Sequence, residues 1–475
     1  MSRPNILILC PDEMKATALG LYGNRAGATP FIDAWARHAA VFEQCHTVHP
    51  KCTPSRCAFT SAQYPHVGGH RTLDLPLRPH EPNLIRTLRQ AGYETTLVGK
   101  NHTGDPETTA GMFDHWLRIS GRNDFEPKSG SAFPEGSYQI GEAQLPPDEF
   151  FDRIATRTAI DWLEKRPAST DRPFCLWLNW NAPHPPYSIP APYHGCIDRA
   201  TVDLPPADDP ATKPPYHAEL QRAYACGPDR MTDGQWRELA ATYLDMCRFV
   251  DDQVKDVFGT LARLGLADNT IIVFWSDHGD FAGEHRLPEK WDTSFYDCIT
   301  RIPLLMSGPG IPDGRTAALV ESIDILPTVL RAVVVEPPKG IQGRDLTPLL
   351  HGEIDAIRTE VFCQGGQEAD LLKLAVSPDG KPRPARAYYL KQQALYANPR
   401  INARAKMLRD ARYKYIYHAG GFEEFYDLAA DPHELTNLAH ADEVAPALLH
   451  HYRQRLMEKL IEVETVEPAQ TYLES

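Results

Sequence analysis

Asn5-Ile6-Leu7-Ile8-Leu9-Cys10-Pro11-Asp12-Glu13 reads as a buried strand that ends in carboxylates. Its apolar run is continuous rather than alternating, as expected where both faces of a parallel sheet are covered. The run is too short for a signal-peptide core or a membrane span. Further strand-like runs at residues 94–98, 174–179 and 270–275 alternate with helical spacing. Thr29-Pro30 opens one helix, read through about residue 42, and residues 237–264 carry another that stops at Gly265. The alternation predicts an α/β fold with a large, mostly parallel sheet sandwiched by helices. Ligands of such sheets bind beyond the carboxyl ends of the strands. Asp12 and Glu13 sit at one such end, and Asp277 and His278 at another.

The chain has 475 residues, more than one ordinary core organises, which predicts a large domain over residues 1–369 and a smaller one over 370–475. The smaller unit is read as α+β, with strands at 406–418 and 424–428 in a small antiparallel sheet and a closing helix over 443–463. Between the later strands, residues 183–228 are crowded with prolines and punctuated by Tyr187, Tyr193, Tyr216 and Tyr224, which fits an ordered surface excursion. The formal charge of −14 argues against nucleic acid and anionic membranes as partners. Ten scattered cysteines without a CxxC pair fit the reduced thiols of a cytoplasmic protein.

Pro50-Lys51-Cys52-Thr53-Pro54-Ser55-Arg56-Cys57-Ala58-Phe59 places a thiol where a helix is about to start. Pro54 is preset for a first helical turn. Free amides and the positive helix end favour anions there and depress a thiol pKa. Arg56 adds a fixed guanidinium fork suited to an oxyanion. The same residues also fit a plain helix start over a buried free cysteine. With the two acidic strand ends added, they suggest a divalent ion held by carboxylates beside a nucleophile.

Cys52-Thr53-Pro54-Ser55-Arg56 resembles the modification motif of the type I sulfatases, in the alkaline-phosphatase-like superfamily. Other segments are similar to that family in order: Asp12-Glu13, Gly99-Lys100-Asn101-His102, Ala182-Pro183-His184-Pro185-Pro186-Tyr187, Trp275-Ser276-Asp277-His278-Gly279-Asp280, Lys290, Arg412-Tyr413-Lys414-Tyr415 and Glu424-Phe425-Tyr426-Asp427-Leu428. The resemblance spans residues 5 to about 440, with gaps in the middle loops. It implies a sulfuric ester hydrolase in which a formylglycine-generating enzyme oxidises Cys52 to formylglycine. One hydroxyl of the hydrated aldehyde then attacks sulfur and expels the alcohol; the other is deprotonated, and collapse of the hemiacetal ejects sulfate. It implies that Asp12, Glu13, Cys52, Asp277 and His278 hold one divalent metal ion, read as calcium with manganese or zinc as alternatives. Arg56, Lys100 and Lys290 would stabilise the nucleophile and the sulfuryl group. His102 would be the base for the diol, and His184 the acid for the leaving oxygen. Lys100, His184 and Lys290 would also bind the substrate, a sulfated carbohydrate or aryl sulfate.

Glu13 stands where Asp or Gln is usual, and its longer side chain bears on the ligand count; His278 stands where Asn is frequent, which keeps a related phosphonate monoester or phosphodiester hydrolase in play. A relative that binds sulfated ligands without modification is a third reading. His66, His70 and His285 are further candidates for substrate contact. Lys373, Lys381, Arg383, Arg386 and Lys391 read either as a polyanion-binding cluster or as a solvated loop.

Overall fold

A computed structural model describes residues 3–119, 140–167, 172–204, 207–208, 210–227, 230–367, 391, 394–395, 397–440 and 446–464. Its strands, in chain order, are β1 (Asn5–Asp12), β2 (Ala40–His46), β3 (Glu94–Gly99), β4 (His115–Leu117), β5 (Ile140–Glu142), β6 (Phe174–Pro183), β7 (Tyr187–Ile189), β8 (Thr270–Trp275), β9 (Leu304–Ser307), β10 (Gly314–Glu321), β11 (Glu360–Gly365), β12 (Ala405–Asp410), β13 (Tyr413–His418) and β14 (Glu423–Asp427). Eight form one sheet in the order β10-β2-β9-β8-β1-β6-β3-β4. All neighbours are parallel except β9, which runs against both β2 and β8. β1 lies between β6 and β8, and every one of its eight residues is buried.

Alternation along β1 feeds two cores. Leu7 and Leu9 pack in one with Ala155, Ala159, Val250 and Val254, from helices Phe151–Lys165 and Asp233–Arg263. Ile6 and Ile8 pack in the other with Phe59, Leu84 and Leu88. Each such side chain contributes about 1.5–3 kcal/mol by burial, so the strand is pinned from both faces. The parallel pairings bring the ends of β1, β3, β6 and β8 to one edge.

A second sheet, β11-β12-β13-β14, is antiparallel throughout. Helix Pro446–Glu464 closes it by packing Leu449, Tyr452 and Leu456 with Phe362, Leu408, Tyr415 and Phe425. The seam with the large sheet is hydrogen-bonded, Gln364 N–H to the Val48 carbonyl at 3.1 Å and Gly366 N–H to the Asp292 carbonyl at 2.9 Å.

The structure corrects three readings. The helix opened by Pro30 ends at Trp35. Residues 40–46 form β2 instead, because Ala40, Val41 and Phe42 are buried in the sheet between β10 and β9. The run 406–418 is a hairpin, β12 and β13, and not one strand. The long helix starts earlier, at Asp233, because Thr232 and Gln235 close a capping box. The excursion over 183–228 holds β7 and helix Tyr216–Ala223, with Tyr187, Tyr216 and Tyr224 buried.

Candidate active site

Lys51 is the N-cap residue of helix Cys52–Ser61, whose ten residues are all buried. Cys52 is 3% exposed, and its Sγ lies 3.2 Å from His278 Nε2 and 3.6 Å from Asp12 Oδ1. Ligating atoms of Asp12, Cys52, Asp277 and His278 all fall within 4.8 Å of one another. One helical turn on, Arg56 is fully buried and commits its guanidinium to three acceptors. Nε donates to Asp277 Oδ2 at 2.8 Å, Nη1 to Asn179 Oδ1 at 2.9 Å and Nη2 to Asp12 Oδ2 at 2.9 Å. The carboxylates of β1 and β8 are thus held by one cation from a third element.

Glu13 has a left-handed backbone, φ 71°. That conformation is uncommon away from glycine and tends to occur at functional sites. It is held from both sides: its N–H donates to Asp277 Oδ1 at 3.1 Å, and its carbonyl accepts from the Tyr243 hydroxyl at 2.8 Å. Lys290 Nζ meets Glu13 Oε2 at 2.6 Å, while Oε1 is buried without a hydrogen-bond partner among the described residues. Glu13, Asp12 and His184 form a second group of ligating atoms that shares Asp12 with the first.

Gly99 turns the chain at the end of β3 with φ 89°, and a Cβ there would lie 2.0 Å from the Asn179 carbonyl oxygen. Only glycine fits, and the turn carries Lys100 to Asp12 Oδ2 at 2.9 Å and Asn181 Oδ1 at 3.2 Å. Asn181 is fixed in turn by buried Asp152, whose carboxylate accepts the backbone N–H groups of Asn181 and of Ala182, the latter at 2.9 Å. Asp152→Asn is expected to lose one of these charge-assisted bonds, about 2 kcal/mol, and to lower kcat/KM about tenfold through Lys100. Thermal unfolding and steady-state kinetics check this; unchanged kinetics would detach Asp152 from the site.

Electrostatics follow from burial and these pairs. Burial and Asp12 push the Cys52 thiol up, but Lys290, His278 and Lys100 hold it well below its usual range. Burial works against the Asp12 carboxylate too, yet Lys100, His184, Arg56 and His278 keep it well below the carboxylate norm. Glu13 is raised by burial despite Lys290. His102 and His184 are both brought down to about 3, by burial first and Lys100 second, so both imidazoles are neutral. His184 Nδ1 donates to the Pro185 carbonyl at 2.6 Å, which leaves the lone pair on Nε2, 3.5 Å from Glu13 Oε2. His102 Nδ1 has no hydrogen-bond partner among the described residues.

All ten candidate site residues therefore cluster at one set of strand ends. Of the other candidates, His66 bonds the Val463 carbonyl, His70 faces Glu81 at 3.4 Å, and His285 is held by Asp208 at 2.7 Å. Lys391 is buried and pairs with Glu289 at 3.1 Å; Lys373, Lys381, Arg383 and Arg386 lie outside the described residues. Sequence reasoning missed Asn179, Asn181, Asp152 and Tyr243. The one local signal was the Asn-Trp-Asn alternation at the end of β6, where polar residues interrupt an apolar strand.

Carboxylates, a low-pKa thiol and fixed cations at the strand ends of a covered α/β sheet define a hydrolase of anionic esters on the alkaline-phosphatase-like fold. The Sulfatase family model matches residues 4–335, and the chain belongs to that family, the sulfuric ester hydrolases. The multifunctional alkaline phosphatase superfamily protein PehA of Trinickia caryophylli is 28% identical over 96% of this chain and 95% of its own. Arylsulfatase K of Gallus gallus is 28% identical over 92% of this chain and 79% of its own. The crystal structure of the phosphonate monoester hydrolase of Agrobacterium radiobacter shares the fold, with a TM-score of 0.78, 24% identity and coverage of 99% and 97% of the two chains.

Proposed function

We propose that the protein hydrolyses sulfate monoesters with a formylglycine made from Cys52 as nucleophile and one divalent ion beside it. The observation that carries this reading is the convergence of Cys52 Sγ on Asp12 and His278, next to Asp277, with Arg56 and Lys100 binding the same carboxylates. Sγ occupies the position that an oxygen of the hydrated aldehyde would take. Such a modification requires a formylglycine-generating enzyme in the producing cell.

The donor set suits a divalent cation. Asp12 and Asp277 supply hard oxygens, His278 supplies Nε2, and residue 52 supplies the fourth atom. Buried Glu13 lies beside this set, where its carboxyl group also faces that of Asp280. Oxygen donors favour calcium, while the imidazole extends the range to manganese and zinc. When bound, the ion would favour the ionised nucleophile and offset charge on the sulfate oxygens.

The chain's own residues supply the rest. Lys100 and Lys290 place fixed positive charge on the two sides of Asp12 and Glu13, where sulfate oxygens would otherwise meet only carboxylates. Neutral His102 suits removal of a proton from the diol. His184 must gain a proton before it can give one to the leaving oxygen, and an entering anionic ester favours its charged form.

A phosphonate monoester or phosphodiester preference on the same scaffold is the second reading, favoured by the breadth implied in the name of PehA, which aligns along almost the whole chain. Turnover of para-nitrophenyl sulfate is expected to exceed that of para-nitrophenyl phenylphosphonate and bis(para-nitrophenyl) phosphate by at least about tenfold in kcat/KM. The reverse order would transfer the assignment. Dialysis against a chelator is expected to lower sulfate turnover by about a hundredfold or more, with recovery on adding calcium or manganese. Peptide mass across residue 52 should show sulfur and two hydrogens replaced by one oxygen.

A further inference from the structure

The loop that delivers Lys290 to the site has an unusual backbone. Ala282, His285, Arg286 and Glu289, none of them glycine, take left-handed φ angles of 45°, 55°, 54° and 62°. Such conformations persist only where the surroundings over-determine them, and they gather at functional sites. Two backbone bonds close the loop on itself, Phe281 N–H to the Glu289 carbonyl at 2.8 Å and Gly283 N–H to the Leu287 carbonyl at 3.0 Å. The Glu289 carboxylate is tied down separately, by the Tyr224 hydroxyl at 2.8 Å and by Lys391 at 3.1 Å.

One further side chain bridges the two ends of this loop. Tyr187, the first residue of β7, is buried, and its hydroxyl donates to Asp280 Oδ1 at 2.7 Å while accepting the Glu289 N–H at 2.6 Å. Asp280 Oδ1 also accepts the Ala282 N–H at 2.6 Å. Two short routes lead from that hydroxyl to a single ion pair. Through the Glu289 N–H it fixes the residue preceding Lys290, whose Nζ meets Glu13 Oε2 at 2.6 Å. Through Asp280 it reaches Glu13 itself, because the two carboxyl groups face each other. The Tyr187 ring also packs edge-on against Tyr243, 6.3 Å between centroids, and Tyr243 holds the Glu13 carbonyl.

We propose that Tyr187 is a positioning residue that sets the Lys290–Glu13 pair from both sides and thereby aims the Lys290 ammonium at the sulfuryl group. This rests on the reading above, in which Lys290 meets the substrate. Without the hydroxyl, the Glu289 N–H loses its buried acceptor and the left-handed turn before Lys290 loses one of its restraints. The ammonium then shifts relative to Glu13, and a misplacement of about 1 Å at such a group can cost about a hundredfold in rate. Tyr187 thus acts on the reaction through Lys290 rather than by touching the ester.

A double-mutant cycle tests this, with every variant assayed at a temperature where circular dichroism shows it folded. In Tyr187→Phe, which keeps the packed ring, kcat/KM for para-nitrophenyl sulfate is expected to fall about tenfold or more. In a Lys290→Gln background the same change should cost less than about threefold, because the group it positions is already gone. Tyr22→Phe is the control for a purely structural hydroxyl: Tyr22 joins the Phe42 carbonyl of β2 and the Leu304 N–H of β9, each at 3.1 Å. Its loss should lower the melting temperature yet leave kcat/KM within about twofold of the parent. Binding of inorganic sulfate, read from its effect on the melting temperature, gives the same cycle without turnover: the dissociation constant should rise about fivefold in Tyr187→Phe and no further in the double variant than in Lys290→Gln. Equal losses from Tyr187→Phe in both backgrounds, or values within about twofold of the parent, would overturn the proposal. Failure of the parent to cleave para-nitrophenyl sulfate would instead sink the sulfatase reading, while the sulfate-binding cycle would still decide the role of Tyr187.

Discussion

Cys52→Ala is expected to abolish turnover of para-nitrophenyl sulfate while the protein keeps its fold. The substitution removes one buried sulfur, a small loss of packing costing about 1 kcal/mol. Asp12 and Asp277 keep their partners Arg56 and Lys100. The chemical loss is of another size: deleting the nucleophile from residues that act as a unit costs at least about ten-thousandfold in kcat. Circular dichroism and thermal unfolding should therefore match the parent while kcat falls below detection. An alanine variant within about tenfold of parental activity would refute residue 52 as nucleophile.

Arg56→Lys is expected to damage stability and activity together. Three donors of one rigid guanidinium span Asp12, Asn179 and Asp277, at 2.8–2.9 Å each, with no exposure to solvent. An ammonium is a point charge on a flexible stem and cannot reach all three. The carboxylate it leaves is buried and unpaired, and breaking a buried pair from one side costs about 3–5 kcal/mol. The melting temperature should drop clearly, and kcat/KM should fall by at least about a hundredfold as the two strand ends lose their common clamp. A lysine variant that melts with the parent and turns over normally would show that the strands hold the carboxylates unaided.

The parallel core and the strand ends were readable because continuous apolar runs and the charges that follow them are local signals. β1 and β8 were placed correctly from Ile6 to Leu9 and from Thr270 to Trp275 alone. The boundary at Trp35 was not, since Ala39 to Phe42 is apolar at spacings compatible with either element and only pairing with β10 and β9 decides it. Ala411 and Arg412, which turn β12 into β13, include neither a glycine nor a proline to announce the turn. Within the site, residues with family-like spacing were legible. Asp152 and Tyr243 were not, because each acts on a backbone group far away in sequence, a relation without any local pattern.

Cys52 and His278 touch although 226 residues separate them. A ribosome adding about 5–20 residues per second needs roughly 10–45 s to supply β8 after residue 52 has emerged. Until then the thiol lacks His278 and the end of β8; afterwards it is 3% exposed. If residue 52 is oxidised as proposed, the enzyme that does so works against a clock set by translation. Slowing or hastening synthesis between residues 52 and 278 should then change the proportion of molecules that carry the proposed formylglycine.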